Sequence, residues 1–199
     1  SNPTPQNWNE VLRVFQTAGR LEDQPNLDLL RLMRATGGLD PNSINEYIRL
    51  ADQRGLPREA QNIYNGSVAG GALAANQEVA GELATNVASD QSGLAESAAA
   101  ARSSATGRVA LNTADAYASY GENSTALELY DLALEKGGVD AGVVNLRKGA
   151  LYYAMGQTAD ARASFEAVTG DRAAHAAFWL RWLDQQAAPA AAAEPASAE

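Results

Sequence analysis

Apolar residues in this chain recur at helical spacing and nowhere keep up the strict alternation that a strand requires. Trp8, Val11, Leu12 and Phe15 define one face of a first helix, and Leu27, Leu29, Leu30 and Met33 supply its partner, within residues 8–38. Pro25, Pro41 and Pro57 each stand just ahead of a helix-period stretch. Proline suits the first helical position, because the N–H it lacks would have no intrahelical partner there. Gly37-Gly38 and Arg54-Gly55 are stop signals between these starts. The pattern predicts antiparallel helical hairpins and no strands.

A longer period emerges from the glycines placed between paired helices. Gly19, Gly55, Gly121 and Gly156 are 36, 66 and 35 residues apart. A unit of about 33–36 residues holding two helices is the signature of a solenoid. The clearest unit, 107–140, carries Ala114, Tyr117, Gly121, Ala126, Tyr130 and Ala133. The next, 142–173, has Gly149, Tyr152, Gly156, Ala161 and Phe165 at the same offsets, and a unit at 41–74 has Gly55, Ala60 and Tyr64. Small residues let two helices cross closely, and the aromatics wedge beside them. The spacing then requires a degenerate unit at 75–106, with Gly81 and Ala100 but no aromatics, predicted as two thinly packed helices.

These residues resemble the tetratricopeptide repeat, whose helix-turn-helix unit has small, aromatic, Gly, Ala, aromatic and Ala positions at these offsets. Val168 stands for the last Ala of the 142–173 unit, and Gly138 and Ala173 stand where the family has proline. The resemblance implies an all-α fold, an α-α superhelix: a right-handed solenoid of antiparallel helix pairs with about 10–11 helices. It also implies that first helices line a concave groove for a peptide or partner helix. Carried over by position, the groove residues are Asn45, Arg49, Asp52, Arg108, Asn112, Asp115, Arg147 and Tyr153. Asn112 and Arg147 match two positions of the family's carboxylate clamp, while Val143 stands where a Lys is expected. The alternative is that these polar side chains only solvate helix faces.

The flanks read differently. Residues 1–7 are expected to form a disordered polar leader, and the repeat domain spans 8–186. A capping helix, 174–186, holds Phe178, Trp179 and Trp182, which either close the last repeat or leave an aromatic patch for binding. Residues 187–199, almost entirely Ala, Pro and Glu, have nothing large to bury and are expected to be disordered.

Composition sharpens this picture. Forty-two of the 199 residues are alanine, the strongest helix former. A net charge of −9 disfavours nucleic acid and anionic membrane surfaces as partners. The absence of cysteine removes disulfides, thiolate metal sites and a cysteine nucleophile, and no apolar run is long enough to span a bilayer. Loss of an export signal from a longer precursor would place the chain outside the cytoplasm or in a periplasm.

Catalytic signals are sparse. His175 is the single histidine, expected to cap or solvate the start of the terminal helix. No nucleophile elbow or phosphate-binding loop is present. Asn65-Gly66-Ser67 and Asn123-Ser124-Thr125 fit the glycosylation sequon, the second falling where a helix cap belongs. Glu22-Asp23, Glu78, Glu82, Asp115, Glu122 and Glu128 could in principle pair for carboxylate chemistry. The expectation is a non-catalytic protein–protein interaction scaffold, without cofactor or metal, that binds a protein or peptide partner and self-associates weakly. The alternatives are a structural subunit of a bacterial envelope or secretion-type assembly and a carboxylate-based hydrolase on an α/α scaffold.

Overall fold

The computed structural model describes residues 4–191, with side chains to residue 187. Among these residues the fold is all-α, with ten α-helices, one 3-10 turn and no strand. The helices are α1 (Pro5–Gly19), α2 (Asp23–Ala35), α3 (Pro41–Gln53), α4 (Pro57–Ala69) and α5 (Gln77–Ser103). They continue as α6 (Arg108–Ser119), α7 (Asn123–Lys136), α8 (Ala141–Ala154), α9 (Thr158–Glu166) and α10 (Ala173–Ala191), with the 3-10 turn at Gly170–Arg172. Each helix packs on the next in an α-α superhelix. No described helix is long and apolar enough to cross a membrane.

Local sequence explains most boundaries. Thr4 caps α1 by accepting a hydrogen bond from the Asn7 amide at 3.3 Å, and the Asn7 side chain accepts from the Thr4 amide at 3.0 Å. Asp40, Asn76 and Asp140 cap α3, α5 and α8 in the same manner. After α3, α6 and α8 the chain reverses through Gly55, Gly121 and Gly156, with φ of 73°, 80° and 75°. In each case the following amide reaches back to a carbonyl in the last turn: Leu56 to Ala51, Glu122 to Tyr117 and Gln157 to Tyr152. Three identical turns at the predicted spacing are the structural counterpart of the sequence period. Ala51, Ala60, Ala114, Ala126, Ala133 and Ala161 are fully buried where paired helices cross.

Several expectations need correction. The first turn falls on Arg20, the only described non-glycine residue at positive φ (45°), and not on Gly19. α1 begins at Pro5, inside the supposed leader, while residues 1–3 lie outside the described residues. α2 starts at Asp23, so Pro25 sits within its first turn. Asn123 is the first residue of α7 and makes no side-chain cap. Val11 is 49% exposed, off the buried face of α1. α10 continues to Ala191, so the beginning of the Ala/Pro tail is helical; residues 192–199 lie outside the described residues.

The largest correction concerns 75–106. It forms one 27-residue helix in place of a pair. No proline or glycine doublet interrupts Gln77–Ser103, and the alanine-rich sequence has no reason to reverse. Its packing is thin as expected: only Leu83, Val87, Ala98 and Ala101 are buried. α5 contacts both α4 and α6, spanning from the second helix pair to the next.

The superhelix also closes on itself. Trp8 meets Trp182 edge-on at 5.8 Å, and Phe15 meets Phe178 and His175 at 5.3 Å each. The Trp8 indole donates to Gln185 at 2.9 Å. Trp179 turns the other way and stacks on Phe165 at 5.0 Å. One part of the aromatic cluster therefore completes the last repeat, and the other part receives α1. His175 is buried, 1% exposed, with Nε2 at 3.0 Å from the Pro25 carbonyl; it is neither a cap nor solvated.

Candidate functional site

α2 carries the element of the fold that its own pattern conceals. Its buried face includes Asn26 and Asp28 among leucines, so charge is driven inward along with the apolar residues. A buried carboxylate persists only if paired. Asp28, 2% exposed, accepts hydrogen bonds from Arg31 Nη1 at 3.0 Å, Arg147 Nε at 3.1 Å and Arg172 Nε at 3.0 Å. These partners come from α2, α8 and the 3-10 turn, so one carboxylate fastens the N-terminal pair to the C-terminal quarter of the chain. Burial pushes the Asp28 carboxyl up, but the fields of Arg147, Arg31 and Arg172 outweigh it and hold the group below the ordinary carboxylate range.

Two further carboxylates extend this network. Glu59 on α4 receives both fork nitrogens of Arg31, at 2.8 and 2.7 Å, and the Tyr47 hydroxyl at 2.8 Å. Burial raises its carboxyl, but Arg31 outweighs this and brings it to a net position below the usual value. Asp115 on α6 pairs with Arg147 and accepts from the Tyr130 hydroxyl at 2.6 Å. Here burial wins over Arg147 and Arg31, and the carboxyl sits above its ordinary value. Burial likewise raises the Tyr47 and Tyr130 phenols well above theirs, each reinforced by its carboxylate.

This network forms one wall of a central cavity of about 430 Å³. α2, α3, α4, α6, α7, α8 and α10 all contribute to its lining. Beside the network, the walls carry Arg34, Asn62, Ser119, Tyr153 and Trp179. Asn62 donates to the Ser119 carbonyl at 3.0 Å, joining α4 to α6 past α5. The Trp182 indole donates to the Tyr153 hydroxyl at 2.9 Å and fixes that ring. A polar recess adjoins the cavity and shares Arg34, Asn62, Ala118 and Ser119 with it.

Of the residues expected in the groove, Asp115, Arg147 and Tyr153 converge on this cavity. Asn45, Arg49, Asp52, Arg108 and Asn112 are not part of its lining. Arg49 donates to Gln53 at 2.7 Å, and Asp52 accepts from Asn86 at 3.1 Å. Asn45, Arg108 and Asn112 are exposed. On α3 the buried stripe is Ser43, Ile44, Tyr47, Leu50 and Ala51, which leaves the expected Asn45, Arg49 and Asp52 on other faces. Asp28, Arg31, Glu59 and Arg172 escaped sequence reasoning. Their signal was the charged Asp28 and Arg31 inside the apolar run from Leu27 to Met33.

No protein-family model matches this sequence, and neither curated proteins nor solved structures provide a match.

Proposed function

We propose that the chain is a non-catalytic interaction module whose central cavity receives a short segment of a partner protein. The observation that carries this reading is a concave cavity of about 430 Å³ with walls fixed before any ligand arrives. Arg31 and Arg147 are locked by buried carboxylates, and Tyr153 by Trp182. A preorganised wall of aromatic rings and guanidinium groups suits recognition, because little side-chain entropy remains to be lost on binding. In this reading the architecture is tetratricopeptide-like. The equivalent turns after α3, α6 and α8 and the buried alanines at the helix crossings support it. The undivided α5 and the contact of α1 with α10 depart from the family's pattern.

The test is affinity capture with the intact protein, compared with Ala154→Trp. Ala154 is exposed and lines the cavity, so a tryptophan there fills the opening without disturbing the core. Partners bound in the cavity are expected to disappear from the Ala154→Trp eluate. An identical set of captured proteins would overturn the assignment.

A second reading, a carboxylate-based hydrolase, has one observation in its favour. Glu59 and Asp115 both line the cavity, with carboxyls displaced in opposite directions, the separation that acid–base pairs exploit. Against it, each carboxylate is already tied to an arginine and a tyrosine. A hydrolase must lose turnover in both Glu59→Gln and Asp115→Asn while retaining its fold by circular dichroism.

A further inference from the structure

We propose that Arg34 and Arg58 form a receptor for a single carboxylate group in the polar recess that adjoins the central cavity. This deepens the binding reading above and rests on it. Arg34 is exposed, lines both spaces, and its guanidinium has no hydrogen bond or ion pair among the described residues. Arg58 lines the recess and is held flat, its guanidinium 4.9 Å from the centre of the Tyr120 ring. One of its terminal nitrogens donates to Gln61 at 2.8 Å, while its Nε is buried without any partner.

Charge selects the acceptor. The recess is lined by two arginines, Arg34 and Arg58, and one carboxylate, Glu122. One positive charge is left over, matching one carboxylate better than a phosphate of charge about −2. The cavity already contains the corresponding geometry. Arg31 grips Glu59 with both fork nitrogens, whereas the guanidinium groups of Arg34 and Arg58 have no carboxylate partner among the described residues. The group can come from an acidic side chain of a peptide or from a free small dicarboxylate.

The experiment uses the full chain and follows tryptophan fluorescence, to which Trp179 in the cavity wall contributes, with calorimetry in parallel. The probes are glutarate, inorganic phosphate, a glutamate-containing hexapeptide blocked at both ends, and its glutamine counterpart. Binding of glutarate or the blocked glutamate peptide in preference to phosphate and the glutamine peptide is expected. The stronger of those two identifies the source of the carboxylate. Arg34→Gln, at an exposed site that folding does not need, should weaken that binding by about tenfold or more, and Arg58→Gln should do the same with an unchanged far-ultraviolet spectrum. Equal binding of glutamate and glutamine peptides would overturn the carboxylate receptor while leaving the cavity as a binding site. No binding by any probe, unaltered affinity in Arg34→Gln, or a preference for phosphate would overturn it as well.

Discussion

At the scale of single residues, Gly149 sets a packing constraint on the cavity wall. A Cβ there would lie 2.5–2.9 Å from the Phe165 ring, which stacks on Trp179 in the cavity wall. Gly149→Ala is expected to destabilise by about 1–3 kcal/mol through this overpacking, read as a lower urea midpoint with displaced Trp fluorescence. His175 gives the fold a pH dependence of its own. Burial lowers its pKa from the ordinary 6.5, with Asp28 and the Pro25 carbonyl opposing and Arg172 assisting. The unfolded chain therefore takes up a proton before the folded one does. The contribution is complete above the unfolded value and is lost as pH falls through it. Because no other histidine exists, the decline in stability between about pH 7.5 and 5.5 should flatten in His175→Gln. Equal slopes in the two proteins would refute this account.

Among the elements, α5 stands apart. It is about 40 Å long and buries only four side chains, so its stability rests on propensity more than on packing. Gly93 lies within it with nothing near its would-be Cβ. Gly93→Ala is expected to raise stability by about 0.5–1 kcal/mol, measurable as a higher thermal midpoint and slower amide exchange along α5 alone. The same helix marks how far the sequence could be read. Turns at Gly55, Gly121 and Gly156 and the alanine crossings were visible because they depend on residues within one repeat. The undivided α5 was missed because a fixed period was extended across a stretch with no turn chemistry of its own. Asp115, Arg147 and Tyr153 do line the cavity, since the register of α6 and α8 follows their repeats. Asp28 stood out in its apolar run, but its partners, Glu59 and Arg172 were beyond reach: their roles depend on pairings across more than a hundred residues or between helices whose rotation the pattern left open.

For the whole molecule, the decisive fact is that Asp28 binds arginines 119 and 144 positions further along the chain. An open solenoid has contacts only between neighbouring repeats and can unravel from either end. Here both ends share one buried ionic cluster and one aromatic cluster. Asp28→Asn leaves arginines buried with one carboxylate fewer and is expected to cost about 3–5 kcal/mol. Amide exchange should rise in α1, α2 and α10 together. Faster exchange confined to α2 would show that the ends are not energetically joined. The direction of the meeting helices adds something else. Trp8 lies beside Trp182 and Gln185, while Phe15 lies beside His175 and Phe178, so α1 and α10 run antiparallel. Repeat arrays of the open kind tolerate gain or loss of a unit, because the next surface always finds the same neighbour. In this protein an added helix pair would carry Trp182 away from Trp8. The number of repeats is thus a fixed property of the molecule, as the number of staves is of a barrel.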